Sequence, residues 1–116
     1  MHERARFGRA GEAAAAAMYT RAGFQVTRNF RAGRIEIDLV ARRPGLVVFC
    51  EVKTRGSDEW GMPAEAVGYQ KQHRIRRAAA AWLAGHRAER VEVRFDVVSA
   101  IVRNGRMDLT HIPNAF

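Results

Sequence analysis

The sequence predicts an α/β domain in which a mixed β-sheet is flanked by two helices, in the order α-β-β-β-α-β-β. Three observations predict it. An alanine-rich segment opens the chain, three runs rich in branched and aromatic residues follow it, and a second helical segment precedes two further runs of this kind. At 116 residues the chain is long enough for one core, so we expect a single domain over residues 1–116.

The first helix is predicted over residues 4–22. Residues 13–17 are all alanine, the strongest helix former, and Gly23 stands where a left-handed cap ends a helix. We expect this helix to pack through a stripe of small or flexible side chains, namely Ala10, Ala14, Ala17 and Met18.

Three strands are predicted next, over residues 24–30, 35–41 and 46–54. The third is almost continuously apolar, which is typical of a strand buried on both faces at the centre of a sheet. A turn at residues 43–45 makes the second and third strands an antiparallel hairpin. Alternation along the second strand points Ile35, Ile37 and Leu39 to one face.

The second helix is predicted from Ala64 to about His86, because apolar residues recur there at helical spacing. A strand over residues 91–102 follows, the pair Asn104–Gly105 turns the chain, and residues 107–112 form a last short strand.

The composition favours a polyanionic partner. Lys and Arg total 20 against 12 acids, a formal net charge of +8, and only Lys53 and Lys71 are lysines. A basic excess of this size on a small body favours nucleic acid over an acidic membrane. A lysine kept among so many arginines hints that an ammonium group is needed there.

Cysteine usage and hydropathy indicate a cytoplasmic protein. The single Cys50 excludes a disulfide scaffold, and the four histidines have no zinc-ligand spacing. The apolar run near the N-terminus is too short for a secretory core, and no stretch approaches the ~18 apolar residues of a membrane span.

The predicted hairpin carries charges that a plain sheet core would not select. Glu36 and Asp38 lie on its first strand, and Glu51 and Lys53 on its second. Because strand side chains alternate, Glu51 and Lys53 share one face while Val52 packs in the core. Counting back from the turn puts Asp38 opposite or diagonal to Glu51, so that the two carboxylates can share one metal ion.

These residue types fit metal-assisted hydrolysis of a phosphodiester. Mg²⁺ is usually held by one or two carboxylates with water and phosphate, and it activates water and neutralises developing charge. Lys53 would orient or deprotonate that water, or stabilise the charged phosphorane. The alternative is a buried ion-pair network, which is weak evidence for stability.

The pattern resembles the PD-(D/E)xK nuclease superfamily, whose fold is that of the restriction endonucleases. Ordered blocks along the chain are also similar to the bacterial YraN-like family, related to archaeal Holliday-junction resolvases. They cover residues 11–14, 36–42, 48–55, 63–67 and 94–98. Glycine usually precedes the Glu-Ile-Asp stretch in that family, whereas Ile35 stands there in this chain.

The resemblance implies a role for each matching residue. Asp38 and Glu51 would bind Mg²⁺ or Mn²⁺, and Lys53 would be the catalytic lysine. Glu12 would match the accessory acid of the resolvase-like branch, reaching the metal directly or through water. Either Lys71 or Gln72 would add a polar group from the second helix. We expect Glu36 to pair with Arg34 or Lys53 rather than to bind metal.

We expect basic and polar side chains around these acids to hold a nucleic-acid backbone. They are Arg28, Arg31, Arg34, Arg55, Lys71, Gln72, Arg74 and Arg77. A solvated helix face is the alternative for those on the second helix. The predicted function is a metal-dependent endonuclease acting on DNA, branched or single-stranded rather than plain duplex. The alternative is a non-catalytic nucleic-acid-binding module, and the resolvase resemblance also implies a possible homodimer.

Overall fold

A computed structural model describes residues 3–56, 67–88 and 90–116. Within it the chain forms a five-stranded mixed sheet with two helices, a restriction-endonuclease-like α/β fold in the predicted order. The strands lie in sequence order across the sheet. The elements are α1 (Glu3–Arg21), β1 (Gln25–Ala32), β2 (Ile35–Arg43), β3 (Leu46–Gly56), α2 (Tyr69–Gly85), β4 (Glu92–Arg103) and β5 (Arg106–Ile112).

Helix α1 ends as predicted but packs through a different face. Gly23 has φ +90°, the left-handed conformation of a C-terminal cap. The predicted stripe was wrong in part: among residues 8–21 the buried positions are Gly11, Ala15 and Tyr19, at intervals of four residues, and Ala10 is exposed. Met18 is partly buried against the same core. Gly11 lets the helix approach β3, since a Cβ atom there would collide with Thr54 Oγ1. The close approach of α1 to β3 and the hydrogen bond that anchors Tyr19 select this face. Helix periodicity alone does not distinguish it from the predicted face.

Strand β3 lies at the centre of the sheet, as its apolar run predicted. It pairs antiparallel with β2 and parallel with β4. Residues 46–51 are all buried, including Phe49 and the free Cys50. The parallel pairing requires a crossover, which α2 is placed to supply. Side chains of α1 pack in one buried cluster and side chains of α2 in another, so the sheet divides the core into an α1 side and an α2 side.

The first hairpin changes face at its centre, which overturns the predicted alternation of β2. Ile35 and Ile37 pack with the core on the α2 side, but Leu39 packs with Ala15 and Tyr19 on the α1 side. On β1, Val26 packs on the α1 side and Phe30 on the α2 side.

Asn29 explains this change of face. It stands between Arg28, which pairs with Leu39, and Phe30, which pairs with Ile37. Its φ is +56°, a conformation that asparagine tolerates better than most residues. Asp38 lies across from Asn29 at the same irregularity, so Asp38 and Glu36 do not share a face as regular alternation requires.

Helix α2 begins later than the sequence predicts. Gly68 is its N-cap, with extended φ −75° and ψ 171°, and the first helical residue is Tyr69. Residues 57–66, which include the predicted start at Ala64, lie outside the described part. Val67 is buried but is not helical. Glycine is a poor residue for a helix interior, so the helix begins after Gly68 rather than running through it.

The predicted turn between β4 and β5 is confirmed. Asn104 and Gly105 have φ +49° and +74°, the pair of positive values that a tight hairpin of right-handed twist requires. No helix of the described residues is long and apolar enough to cross a membrane.

Candidate active site at the fork between β2 and β3

The β2–β3 ladder stops at the pair Leu39–Cys50, although both strands continue beyond it. From there β2 stays paired with β1, and β3 stays paired with β4. We call the opening between the two strands the fork. Asp38 and Glu51 are the first residues past the last pair, so both acids stand at its entrance.

Side-chain oxygens replace the missing ladder bonds in the fork. The backbone N–H of Val52 donates to Asp38 Oδ2 at 2.8 Å, and the backbone N–H of Asp38 donates to Glu51 Oε2 at 3.3 Å. Each carboxylate is thereby bound to the opposite strand. Both donors are backbone N–H groups, so the arrangement holds the two acids close together without using another side chain.

The two acids affect each other's ionisation. The pKa of Asp38 is raised to about 7, chiefly by burial and next by the neighbouring Glu51 carboxylate, while the Val52 N–H and the Lys71 ammonium oppose the shift. Glu51 itself is only 2% exposed. A buried pair of this kind favours binding a proton or a cation.

Both lysines of the chain lie beside this pair. Lys71 Nζ on α2 is 3.2 Å from Glu51 Oε1. Glu51 and Phe49 share a face of β3, which is why a residue of α2 reaches the acid. Burial lowers the pKa of Lys53, and the nearby Lys71 ammonium lowers it further. Burial alone would lower the pKa of Lys71 as well, but the Glu51 carboxylate raises it above its usual value.

Lys71 and Gln72, the two alternatives on the second helix, differ in their contacts. Gln72 Nε2 donates to the carbonyl of Val67 at 2.9 Å, which ties down the segment before the helix. Lys71 alone of the two contacts an acid of the fork. The side chain of Gln72 binds the backbone just before α2, whereas that of Lys71 reaches the fork.

Glu12 contacts β1 rather than the acid pair. Asn29 Nδ2 donates to Glu12 Oε1 at 3.0 Å and to Glu36 Oε1 at 2.9 Å. Arg28 lies 3.8 Å from Glu12, and Arg31 lies 2.9 Å from Glu36. Asn29 thus joins two acids at the position across from Asp38. The ion pair of Glu36 is with Arg31, not with Arg34 or Lys53 as we expected.

A groove of about 450 Å³ runs beside the fork between the start of β2 and α2. Arg34, Lys71 and Arg74 line it, together with Glu36, Ile35 and Ile75. The structure thus places three of the predicted phosphate-binding side chains around one opening. Arg77 is exposed further along α2, and Arg55 is half-buried near the end of β3.

Comparison with known proteins gives the family. Residues 11–100 match the Uncharacterised protein family UPF0102. A UPF0102 protein of Trichlorobacter lovleyi is 41% identical over 112 residues, covering 94% of this chain and 88% of that relative. A UPF0102 protein of Syntrophotalea carbinolica is 41% identical, covering 99% of this chain and 94% of that relative. One of Myxococcus xanthus is 40% identical, covering 98% of this chain and 91% of that relative. The chain belongs to family UPF0102. The predicted resemblance to the YraN-like family is thereby confirmed.

The donor set of this UPF0102 chain fits a hard divalent cation through two carboxylates. Among the residues that the structure describes, no three or more His, Cys, Asp or Glu side chains gather around one point. Asp38 and Glu51 supply two acidic side chains, and Mg²⁺ needs no more when water and phosphate complete its ligands. A cation there would relieve the mutual repulsion that raises the pKa of Asp38.

A larger cavity of about 580 Å³ lies at the other end of the sheet, near the turn between β2 and β3. Arg42, Arg43, His86 and Arg87 line it. Both helices end there, and Arg43 Nη1 donates to the carbonyl of Ala22, just past the last residue of α1. Cations at helix C-termini complement the helix dipole, which explains this basic cluster without a ligand.

Sequence reasoning missed a buried network around Asp96. Its carboxylate accepts hydrogen bonds from Tyr19 Oη at 2.6 Å, Arg94 Nε at 2.8 Å and the backbone N–H of Asn114 at 3.0 Å, and it lies 2.7 Å from His111 Nε2. Tyr19 and His111 are 92 residues apart, so no local pattern reveals their contact. The network joins α1, β4 and β5 on the α1 side of the sheet.

Proposed function

We propose that this protein is a metal-dependent endonuclease that hydrolyses phosphodiester bonds in DNA. The observation that carries the proposal is the pair of carboxylates in the fork, Asp38 and Glu51, with the ammonium groups of Lys53 and Lys71 beside them. The acids offer ligands for a divalent ion, and the lysines and the basic groove offer positive charge toward a phosphate, which suits metal-assisted phosphodiester hydrolysis.

Asp38 and Glu51 would hold Mg²⁺ or Mn²⁺. When bound, such an ion supplies a water of lowered pKa and neutralises charge that develops on the phosphate. The Val52 N–H keeps Asp38 Oδ2 in the fork, so the carboxylate is oriented before any substrate arrives. Glu12 lies on α1, where Asn29 holds its carboxylate. We propose it as an accessory acid that acts through water.

Lys53 would position the attacking water or stabilise the phosphorane charge. Its lowered pKa makes its ammonium a better proton donor than an ordinary lysine. Arg34 and Arg74 would hold the backbone in the groove, because guanidinium groups bind phosphate oxygens in a bidentate way. The preference for branched or single-stranded DNA, and the homodimer, rest on the likeness to resolvases alone.

A digestion series tests this proposal. The purified protein would be incubated with a four-way junction, single-stranded DNA and duplex DNA, in Mg²⁺, Mn²⁺ or a chelator. We expect metal-dependent cleavage that falls about 100-fold or more in Glu51→Gln and Lys53→Met. Glu92→Gln removes an exposed acid at the start of β4 and should cleave as the wild type does.

Cleavage that persists in both site variants would come from a contaminating nuclease, and the proposal would fail.

A second candidate is a non-catalytic nucleic-acid-binding module. It is favoured by the pairing of the acids within the protein, Glu51 with Lys71 and Glu12 with Asn29. It predicts no cleavage but steeply salt-dependent DNA binding.

A further inference from the structure

The Glu51 carboxylate is buried and already has a counter-ion. Its side chain is 3% exposed, and the Lys71 ammonium lies 3.2 Å from Oε1. An uncompensated buried carboxylate is strongly destabilising, so an ionised Glu51 needs a positive charge beside it. Lys71 supplies that charge.

Both oxygens of Glu51 are engaged. Oε1 faces Lys71, and Oε2 accepts the backbone N–H of Asp38. A divalent cation bound by Asp38 and Glu51 would stand within a few ångströms of the Lys71 ammonium, and two cations at that separation repel strongly. The ammonium and the divalent cation therefore compete for one place.

Lys71 has another place to go. Its side chain is 37% exposed and lines the groove that Arg34 and Arg74 also line. The four-carbon stem of lysine is flexible, so rotation can carry the ammonium from Glu51 into the groove without movement of α2. There it would add a third positive charge toward a phosphate group.

We propose that Lys71 is an internal counter-ion, which occupies the cation position at Glu51 and is released toward the substrate phosphate when a divalent cation binds. The inference rests on the proposed function and adds a coupling between its two ligands. Because binding linkage is reciprocal, metal should strengthen phosphate binding, and phosphate should strengthen metal binding.

Mn²⁺ binding measures the competition directly. The dissociation constant would be determined from the electron paramagnetic resonance signal of free Mn²⁺ at pH 8, where Asp38 is largely ionised. We expect Lys71→Met to bind Mn²⁺ about tenfold more tightly than the wild type, since a repelling charge has been removed.

Two control variants separate the contact from overall charge. Lys71→Arg keeps a cation near Glu51 and should bind Mn²⁺ nearly as the wild type does. Arg103→Met removes one positive charge at the exposed end of β4, six residues beyond Val97, the partner of Glu51. It should leave the dissociation constant unchanged.

Amine labelling of the wild type tests the release without any substitution. The chain has two lysines, Lys53 and Lys71, so peptide mass spectrometry reads each separately. We expect Mn²⁺ to raise the labelling rate of Lys71 several-fold, because its ammonium leaves Glu51 for the groove.

The outcomes distinguish the inference from the proposed function. If the wild type and Lys71→Met both leave all Mn²⁺ free, the metal site itself fails and the counter-ion role fails with it. If both bind Mn²⁺ with the same dissociation constant, the metal site stands and the inference about Lys71 is overturned. Unchanged labelling of Lys71 in saturating Mn²⁺ would also overturn it.

Discussion

The Val52 N–H donates to the Asp38 carboxylate at 2.8 Å, just past Leu39 and Cys50, the last backbone pair of β2 and β3. A ladder bond between backbones has been replaced by a bond to a side chain. This side-chain bond keeps the Val52 N–H satisfied while the two strands separate. It also places an acid in the sheet plane, where a regular strand would have pointed it to one face.

The raised pKa of Asp38 predicts how stability depends on pH. The pKa is about 7 in the folded protein against 3.8 for a free side chain. Between these values the folded state holds a proton that the unfolded state has lost, so the free energy of unfolding falls as pH rises through this window. Urea denaturation should show Asp38→Asn more stable than the wild type at pH 8, by roughly 2 kcal/mol, and little different at pH 4.

Asp108→Asn is the matched control for this titration. Asp108 is an exposed acid on β5, and its substitution should leave the pH profile of the wild type unchanged. Identical slopes for the wild type and Asp38→Asn between pH 4 and 7 would show that Asp38 is not the group responsible.

Close packing of α1 on β3 predicts opposite effects for two glycines of the same helix. Gly11→Ala would put a methyl group against Thr54 Oγ1 and Ala100, and should lower the free energy of unfolding by about 1–3 kcal/mol. Gly8→Ala has open space around it and should raise stability by up to ~1 kcal/mol through helix propensity. Chemical denaturation of the two variants measures both. Equal effects would mean that α1 does not approach β3 this closely.

The Asp96 network predicts a large loss of stability on truncation. Asp96 is fully buried and hydrogen-bonded by groups from three elements. We expect Asp96→Ala to lower the free energy of unfolding by about 3–5 kcal/mol, because Arg94 loses its partner and the other donors are left unsatisfied. Tyr19→Phe should cost about 1–2 kcal/mol. Urea denaturation at pH 7 would measure both, and Asp108→Ala, at an exposed acid, should have little effect.

The pH dependence of this network has the opposite sign to that of Asp38. Burial by itself would raise the pKa of Asp96, but hydrogen bonds from Arg94, Tyr19 and His111 outweigh it and hold the pKa below its usual value. The stability that Asp96 contributes is therefore present above pH 4 and is lost as pH falls below it. A wild-type acid transition that matches that of Asp96→Ala would contradict this.

The positive φ of Asn29 separates backbone from side-chain effects. Asn29→Gly keeps the backbone conformation accessible, whereas Asn29→Val opposes it, and both remove the bonds to Glu12 and Glu36. We expect Asn29→Val to be less stable than Asn29→Gly by about 1–2 kcal/mol in denaturant titration. Equal stabilities would show that the change of face in the first hairpin does not depend on this residue.

Order and type of the elements were predictable because each has a local cause. Consecutive alanines form α1, the apolar run of residues 46–51 forms a central strand, and Asn104–Gly105 turns the last hairpin. The neighbourhood of Asp38 and Glu51 was also predictable, since a short turn sets the register of the hairpin that carries them.

The contacts of the site were less predictable. Alternation put Asp38 on one face of β2, but Asn29 and the separation of the strands turn it into the fork. Lys71 pairs with Glu51 because α2 packs on the face of the sheet to which Glu51 points, and no spacing in the chain encodes that distance. An asparagine in mid-strand was the one available signal for the irregularity, because asparagine adopts positive φ more readily than other non-glycine residues.

By itself, the sequence determined the mixed α/β architecture and the candidate acids and lysines, since propensity, turn chemistry and strand periodicity act over a few residues. Only the tertiary structure decided which face of α1 packs, which lysine neutralises Glu51, and which groups surround Asp96. Some of those contacts join residues far apart in the chain, 20 positions for Glu51 and Lys71 and 92 for Tyr19 and His111. They depend on how helices dock on the sheet, which is settled by the packing of the whole core rather than by local pattern.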